Sequence, residues 1–189
     1  MKHLPFSAAL LALGLAACTA NRNDPTKFLT STAADTSERL PRLPFEHSWR
    51  APAMEITHYR NIMVRPVTTD FLHPGKVTNS QGKDLAKRFT AALRLAFSSP
   101  VCGYYITEDS SLPKTLILEV ALTDATGMGT EQQELAFEAR VKDAVTGRTV
   151  ATAADRRNVE EFDEWADELM QATNKELFPK VRKNSPSPF

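Results

Sequence analysis

The sequence predicts an α+β fold: a mixed, largely antiparallel sheet of about five strands with two helices packed on one face, in the order β-α-β-β-β-β-α. Two segments carry apolar residues at helical spacing, and the segments between them have the residue types and alternation of strands. A strand, a helix and a strand at the start imply a parallel crossover. A later glycine-containing turn implies antiparallel pairing, so we expect a mixed sheet.

The first strand and the first helix are predicted from residue type and spacing. Residues 59–69 are rich in β-forming side chains and are followed by His-Pro-Gly, a turn signal. Residues 80–98 place apolar side chains every three or four positions, which is typical of a helix that buries one face. Asn79 or Ser80 can cap its start, and Pro100 suits its end.

Four further strands are predicted before the last helix. They cover residues 101–107, 114–123, 134–144 and 149–155. In residues 114–123, one set of apolar side chains alternates with a mixed set, Leu116, Leu118, Val120 and Leu122 against Ile117, Glu119, Ala121 and Thr123. Residues 134–144 alternate apolar and charged side chains, so one face of each strand should belong to the core. Gly147 suits the turn between the last two strands, because a hairpin turn often needs a positive φ.

The last predicted element is a helix over residues 160–181, with its apolar side chains on one side. Asn158 and Glu161 have the spacing of a capping box at its start. Trp165 lies in the middle of the apolar stripe, and we therefore expect it to be buried in the core.

The start of the chain has the three parts of a secretory signal. Basic Lys2 and His3 precede an apolar stretch too short to span a bilayer, and small residues follow. Leu15-Ala16-Ala17-Cys18 resembles the lipobox of bacterial lipoproteins. That resemblance implies cleavage between Ala17 and Cys18 and acylation of Cys18. In such proteins a residue other than Asp after the cysteine, here Thr19, implies the outer membrane, with the domain in the periplasm.

The expected organisation follows from these segments and from composition. Residues 1–17 are the signal peptide, residues 18–53 an extended, proline-containing tether that is partly docked, residues 54–182 the α+β domain, and residues 183–189 a disordered tail. The chain carries 23 basic and 23 acidic side chains, without a run of Lys and Arg, which argues against a nucleic-acid partner. Cys102 is the only other cysteine, so no intramolecular disulfide framework is expected beside a lipidated Cys18.

Several short motifs together resemble a small family of bacterial envelope lipoproteins. They are, in chain order, Cys18, Asp24-Pro25-Thr26-Lys27-Phe28-Leu29, Tyr59, Val64-Arg65-Pro66-Val67, Val141-Lys142-Asp143-Ala144-Val145-Thr146-Gly147 and Phe162-Asp163-Glu164-Trp165-Ala166. That family is known as domain of unknown function 3313. The resemblance implies an envelope lipoprotein and supplies no activity and no catalytic residue.

Common catalytic and cofactor motifs are absent from the sequence, so no catalytic residue, metal or cofactor is predicted. Asp70, His73 and Ser80 could be read as a hydrolase triad, but a strand-to-helix loop and a helix cap need the same residue types. Three histidines could meet around zinc, but their spacing matches no metal pattern; they are His47, His58 and His73. The acidic residues between 160 and 168 lack the pattern of a calcium loop and suit a solvated helix face.

A polar, glycine-containing loop is the candidate surface for a partner. Its residues are Thr126, Gly127, Met128, Gly129, Thr130, Glu131, Gln132 and Gln133. The sequence thus indicates a non-catalytic binding or accessory module, held at the membrane through lipid on Cys18 and acting with an envelope protein in envelope assembly or transport. Two alternatives remain open: a hydrolase acting on envelope material, and a module that binds a small ligand or peptidoglycan.

Overall fold

The structure, a computed structural model, describes residues 28–29, 45–50, 59–72, 77–127 and 133–173. Within these ranges it contains six strands and two α-helices, so the predicted α+β class is confirmed. In chain order the elements are β1 (His47–Arg50), β2 (Asn61–Val64), α1 (Asn79–Ser98), β3 (Tyr105–Ile106), β4 (Thr115–Thr126), β5 (Glu134–Asp143), β6 (Thr149–Asn158), a 3-10 turn (Val159–Glu161) and α2 (Phe162–Gln171). None of the helices among these residues is long and apolar enough to cross a bilayer.

The strands form one mixed sheet in the order β1-β6-β5-β4-β2-β3. Strand β2 is parallel to both of its neighbours, β3 and β4. The remaining neighbours, from β4 through β5 and β6 to β1, are all antiparallel. The sixth strand, β1, lies in the range predicted as a tether and pairs with the edge of β6, so the sheet has one strand more than predicted.

Two of the predicted strands are much shorter in the structure, and two are longer: β4, and β6, which reaches Asn158. Strand β2 ends at Val64, before Pro66, whose nitrogen has no hydrogen to donate to β4. Thr68 rejoins the sheet as a single bridge to Ala121. The segment predicted as a strand over residues 101–107 contributes two strand residues. Strand β4 continues to Thr126, because an irregularity between Leu122 and Asp124 lets the pairing with β5 resume.

Both helices pack on one face of the sheet, as predicted, and their apolar side chains form one core with the inward residues of the strands. An aromatic cluster lies at its centre. The ring of Phe89 from α1 stacks on Phe162 from α2, with 4.9 Å between centroids, and contacts Trp165 at 5.6 Å. Phe137 of β5 lies 4.9 Å from Trp165. Trp165 is fully buried, which confirms its predicted place in the core.

The helix caps differ in detail from the prediction. Thr78, and not Asn79 or Ser80, caps α1: its hydroxyl accepts the Gln81 N–H at 3.3 Å, and the Gln81 side chain accepts the Thr78 N–H at 3.1 Å. This reciprocal pair is a capping box. Asn158 caps the 3-10 turn before α2 by accepting the Glu160 N–H at 3.0 Å. The predicted last helix reaches Gln171 as α-helix, and residues 174–181 lie outside the described residues.

Candidate interaction surface

The sheet has a second face, opposite the two helices, which we call the helix-free face. Successive side chains of a strand point to opposite faces, so the residues between the core positions of β4 and β5 lie here. They include Glu119 and Ala121 of β4 and Glu138 and Arg140 of β5. Glu119, Ala121 and Glu138 are buried although neither α1 nor α2 covers them.

A group of four charged side chains, which we call the Glu119 cluster, lies on this face. The carboxylate of Glu119 binds the side-chain nitrogens of Arg140 at 2.7 Å, Lys142 at 2.9 Å and Arg65 at 3.0 Å. Arg140 is directly opposite Glu119 in the β4–β5 register, which places the pair side by side. One carboxylate therefore holds three cations, and the cluster has an excess of positive charge.

The pKa of Glu119 reflects a balance between its burial and its positively charged neighbours. Burial by itself would raise this pKa, because a low-dielectric surrounding disfavours the carboxylate. Hydrogen bonds and positive charge from Lys142 and Arg140 outweigh that effect and hold the pKa below its ordinary value. Glu119 is thus ionised at neutral pH and serves as the fixed negative centre around which the cations are placed.

Two residues from near the start of the chain, Phe28 and Leu29, lie against the helix-free face, and we call them the docked segment. Arg140 donates a hydrogen bond from Nη1 to the Phe28 carbonyl at 2.8 Å, and its guanidinium carbon lies 4.3 Å from the centre of the Phe28 ring. The Leu29 N–H donates to the Glu138 carboxylate at 3.2 Å. Phe28 also meets the ring of Phe71 edge-on, at 5.3 Å between centroids.

The docked segment covers part of this face. Phe28 and Leu29 are 4% and 7% exposed, and they form a small apolar cluster with Ala121, which is fully buried. The main chain of the segment binds charged side chains of the sheet, and the Phe28 ring contacts the Arg140 guanidinium group and the Phe71 ring. A surface built in this way can hold a short peptide segment through its main chain and one aromatic side chain.

The predicted partner loop joins β4 to β5, and the structure describes its two ends. Thr126 closes β4 opposite Glu134, and Gly127 follows, exposed, with a φ of +66°. The carbonyl of Gln133 accepts the N–H of Val159 at 3.0 Å, which ties the loop to the turn before α2. Residues 128–132 lie outside the described residues, so the loop as a partner surface stays a prediction.

The residues of the alternative triad are placed only in part. The N–H of Asp70 donates to the hydroxyl of Thr68 at 3.2 Å, within a turn. The hydroxyl of Ser80 lies 3.1 Å from that of Thr78, at the cap of α1. His58 and His73 lie outside the described residues, whereas His47 is exposed in β1. Among the described residues, no three His, Cys, Asp or Glu side chains form a group that could hold a metal ion.

Glu168, one of the acidic residues at the last helix, forms an ion pair with the sheet. Arg157 of β6 binds Asp155 at 2.8 Å and Glu168 of α2 at 2.7 Å, so it ties the helix to the sheet. Burial raises the pKa of both carboxyl groups, and the charge of Arg157 offsets this only in part. Glu168 is therefore not simply part of a solvated helix face, as the sequence suggested.

The Glu119 cluster and the docked segment were not predicted from the sequence as a site. A signal was present, since Glu119 interrupts an otherwise apolar strand and Arg140 and Lys142 are two positions apart on the next one. Alternation places each set on one face, but the pairing register was needed to bring the two together.

The fold and this surface define a class of protein: a small α+β domain with one face covered by helices and the other partly covered by an N-terminal segment. No family model matches the chain, and no curated protein matches it. The resemblance to domain of unknown function 3313 therefore stays a prediction.

Solved structures share parts of the fold at low identity. PelC from Paraburkholderia phytofirmans, solved as a dodecamer, is 14% identical with a TM-score of 0.40, over 65% of this chain and 94% of that one. A Xanthomonas campestris protein of the DUF330 family is 10% identical with a TM-score of 0.38, over 66% and 88%. A lipoprotein from Neisseria meningitidis is 12% identical with a TM-score of 0.30, over 52% and 79%. Likenesses of this size carry no functional argument.

Proposed function

We propose that this protein is a lipid-anchored bacterial envelope protein whose α+β domain is a non-catalytic binding module in envelope assembly or transport. The observation that carries the proposal is that charged side chains on the helix-free face bind main-chain atoms of the docked segment. Arg140 and Glu138 bind the main chain of the docked segment, which begins ten residues after the lipobox cysteine. The Arg140 and Glu138 side chains thus hold a peptide segment, as the side chains of a peptide-binding domain do.

The anchor is Cys18. A single acyl chain binds membranes marginally, whereas several chains, at about 0.8 kcal/mol for each buried methylene, give a durable attachment. The membrane is then the first partner, through lipid on Cys18, with the domain on the periplasmic side of the outer membrane. The equal numbers of acidic and basic side chains argue against a nucleic-acid partner. The second partner we propose is a protein of the envelope.

The partner is expected to bind at the loop over residues 126–133. This loop joins two long strands, β4 and β5, and its base is fixed by the Gln133–Val159 hydrogen bond. Binding residues are often found on surface loops held by a rigid scaffold, which supports this loop as the site that presents polar side chains to another protein. No observation among the described residues favours the hydrolase or the peptidoglycan-binding alternative.

The anchor is tested by Cys18→Ser in the full-length chain, with Thr19→Ser as the matched control. The wild type and the control should fractionate with outer membranes and be released only by detergent, whereas Cys18→Ser should accumulate as uncleaved precursor or lose membrane attachment. A Cys18→Ser chain that matures to the same mobility and stays with outer membranes would refute the anchor.

The binding surface is tested by a photo-crosslinking amino acid placed at Glu131 in cells, with a second chain carrying it at the exposed Lys87 of α1 as control. We expect an envelope protein to be joined to position 131 and not to position 87, as identified by mass spectrometry. If both positions give the same products, or if position 131 gives none, the loop is not the partner surface.

A further inference from the structure

We propose that the outer side of the helix layer is a self-docking surface, on which α1 of one copy of this chain binds α2 of a second copy. The helix layer is the pair α1 and α2, and its outer side is the one turned away from the sheet. This inference goes beyond the proposed function, which assigns a different protein to the loop over residues 126–133. It concerns other residues, and it does not depend on the lipid anchor.

Charge is separated between the two helices on this outer side. Four exposed basic residues and one exposed acidic residue lie on α1 and form the basic strip: Lys83, Lys87, Arg88 and Arg94, with Asp84. Four exposed acidic residues and no exposed basic residue lie on the 3-10 turn and α2 and form the acidic strip: Glu160, Asp163, Glu164 and Asp167. The chain as a whole has equal numbers of acidic and basic side chains, so the separation is a local property of this layer.

The two strips lie side by side at the same height in the layer. Phe89, in the middle of the basic strip, contacts Phe162 at 4.9 Å and Trp165 at 5.6 Å between ring centroids, and both partners come from the stretch of the acidic strip. The guanidinium carbon of Arg88 lies 5.5 Å from the centre of the Phe162 ring. The boundary between the strips therefore runs along the contact between the two helices.

The charges of the two strips are not paired with one another inside one copy. Within the described part of the chain no ion pair joins α1 to α2, and the one member of either strip that forms an ion pair is Arg94, with the exposed Glu108 at 3.0 Å. A two-fold axis that runs between the helices, along the layer, places α1 of each copy on α2 of the other. Both contacts then pair opposite charges, so the surface is complementary to itself. An anionic membrane fits this surface less well, because the acidic strip is repelled by it.

Apolar side chains accompany the basic strip. Lys87, Ala91 and Leu95 follow one another at intervals of four residues, so they lie along one line on α1. Leu95 is 74% exposed, and Ala91 is exposed as well. Their burial against a second copy adds apolar contact to charge pairs that by themselves give specificity more than affinity. We therefore expect an association that is reversible and weakened by salt.

Self-docking is tested in cells by a photo-crosslinking amino acid at Ala91 of the full-length chain, which leaves every charge of the two strips in place. The chain is produced in two forms with different peptide tags, so a crosslinked product that carries both tags is a pair of copies. Position 91 should give this two-tag product, and the exposed Val145, on the β5–β6 turn, should not. Absence of the two-tag product from position 91 would overturn the proposal.

Capture of another envelope protein at position 91, without the two-tag product, would also overturn self-docking but would leave the proposed function intact. Lys87, the control position of the loop experiment, belongs to the basic strip. Its expected product is a second copy of this chain and no other envelope protein, so the two experiments remain distinguishable.

The pairing of opposite charges is tested by reversing each strip in turn. Lys83→Glu with Lys87→Glu turns the basic strip acidic. Asp163→Lys, Glu164→Lys and Asp167→Lys together turn the acidic strip basic. Each changed chain by itself now opposes like charges and should lose the two-tag product by about tenfold or more. When the two changed chains are produced together, opposite charges meet again at both contacts, and the product should return.

A misfolded chain cannot give this recovery, so the mixture of the two changed chains also controls for folding. Loss of the product in each changed chain followed by recovery in the mixture supports the contact of α1 with α2. Loss without recovery, or no loss in either changed chain, would overturn that contact.

Discussion

The guanidinium group of Arg140 donates a hydrogen bond to the carbonyl of Phe28 at 2.8 Å and lies against the ring of the same residue, 4.3 Å from its centre. These residues are 112 positions apart in the chain. The contact joins a segment from near the start of the chain to the middle of the sheet, and it makes Arg140 the side chain that connects the Glu119 cluster with the docked segment.

The first prediction concerns Arg140→Lys. Lysine keeps a positive charge near Glu119 but lacks the planar fork that binds Glu119 and the Phe28 carbonyl at once. The free energy of unfolding should fall by about 1 to 2 kcal/mol, the scale of one hydrogen bond to a charged group, and Leu29 exchange should accelerate. Urea unfolding and hydrogen exchange measure the two effects. Arg148→Lys, at an exposed position, is the control and should change neither; a wild-type result for Arg140→Lys would contradict the assignment.

The second prediction concerns pH and Glu119→Gln. The pKa of Glu119 is lowered in the fold, so its carboxylate stabilises the native state above the ordinary Glu pKa of about 4.3, and this contribution is lost as pH falls. Glu119→Gln should therefore be less stable than wild type by about 1 to 3 kcal/mol at pH 7. The difference should shrink between about pH 5 and pH 3, as the wild-type carboxylate becomes protonated.

The quantity to measure is the difference in unfolding free energy between wild type and Glu119→Gln. Other carboxyl groups change the stability of both chains with pH in the opposite direction. The raised pKa values of Asp155 and Glu168 mean that their contribution is present at low pH and is lost as pH rises through those values. Both chains contain these groups, so they cancel in a comparison of urea midpoints at each pH. A stability difference that does not depend on pH would show that Glu119 acts through packing and not through its charge.

The third prediction separates the volume of Trp165 from its polar atom. Trp165→Ala should cost about 3 to 5 kcal/mol, because it empties the centre of the aromatic cluster. Trp165→Phe should cost much less, about 1 to 2 kcal/mol, because the indole nitrogen has no hydrogen-bond partner among the described residues and only part of the ring is removed. Chemical denaturation measures both. Equal costs would indicate that the indole N–H has an essential partner elsewhere in the chain.

The fourth prediction tests the turn between β5 and β6. Gly147 has a φ of +68°, which most residues adopt at a cost, and a Cβ there would meet open space. Gly147→Ala should therefore destabilise the domain by about 1 kcal/mol through backbone strain alone. Gly147→Asn should recover most of that loss, since Asn tolerates the left-handed region. Melting temperatures of the three chains give the answer, and an Asn variant as unstable as the Ala variant would speak against strain as the cause.

The sequence by itself was enough for the features that depend on local spacing. Periods of 3.6 and 2 residues predict the apolar stripe of α1, the core-facing residues of β4 and β5, and the burial of Trp165. The resemblance to a lipobox is likewise a local pattern, and lipidation of Cys18 stays a prediction. The lengths of β2 and β3 were wrong because a strand extends only where a neighbour offers hydrogen bonds, and local residue type does not report that.

Only the tertiary structure decided which face of the sheet holds the charged cluster and what lies on it. The pairing register sets Glu119 beside Arg140, and the parallel pairing of β2 with β4 brings Arg65 to the same carboxylate. The contact of Arg140 with Phe28 joins residues far apart in the chain, so no local periodicity of the sequence predicts it. The physical reason is the same in each case: a long-range contact depends on how separate elements pack, and local sequence restricts only the elements themselves.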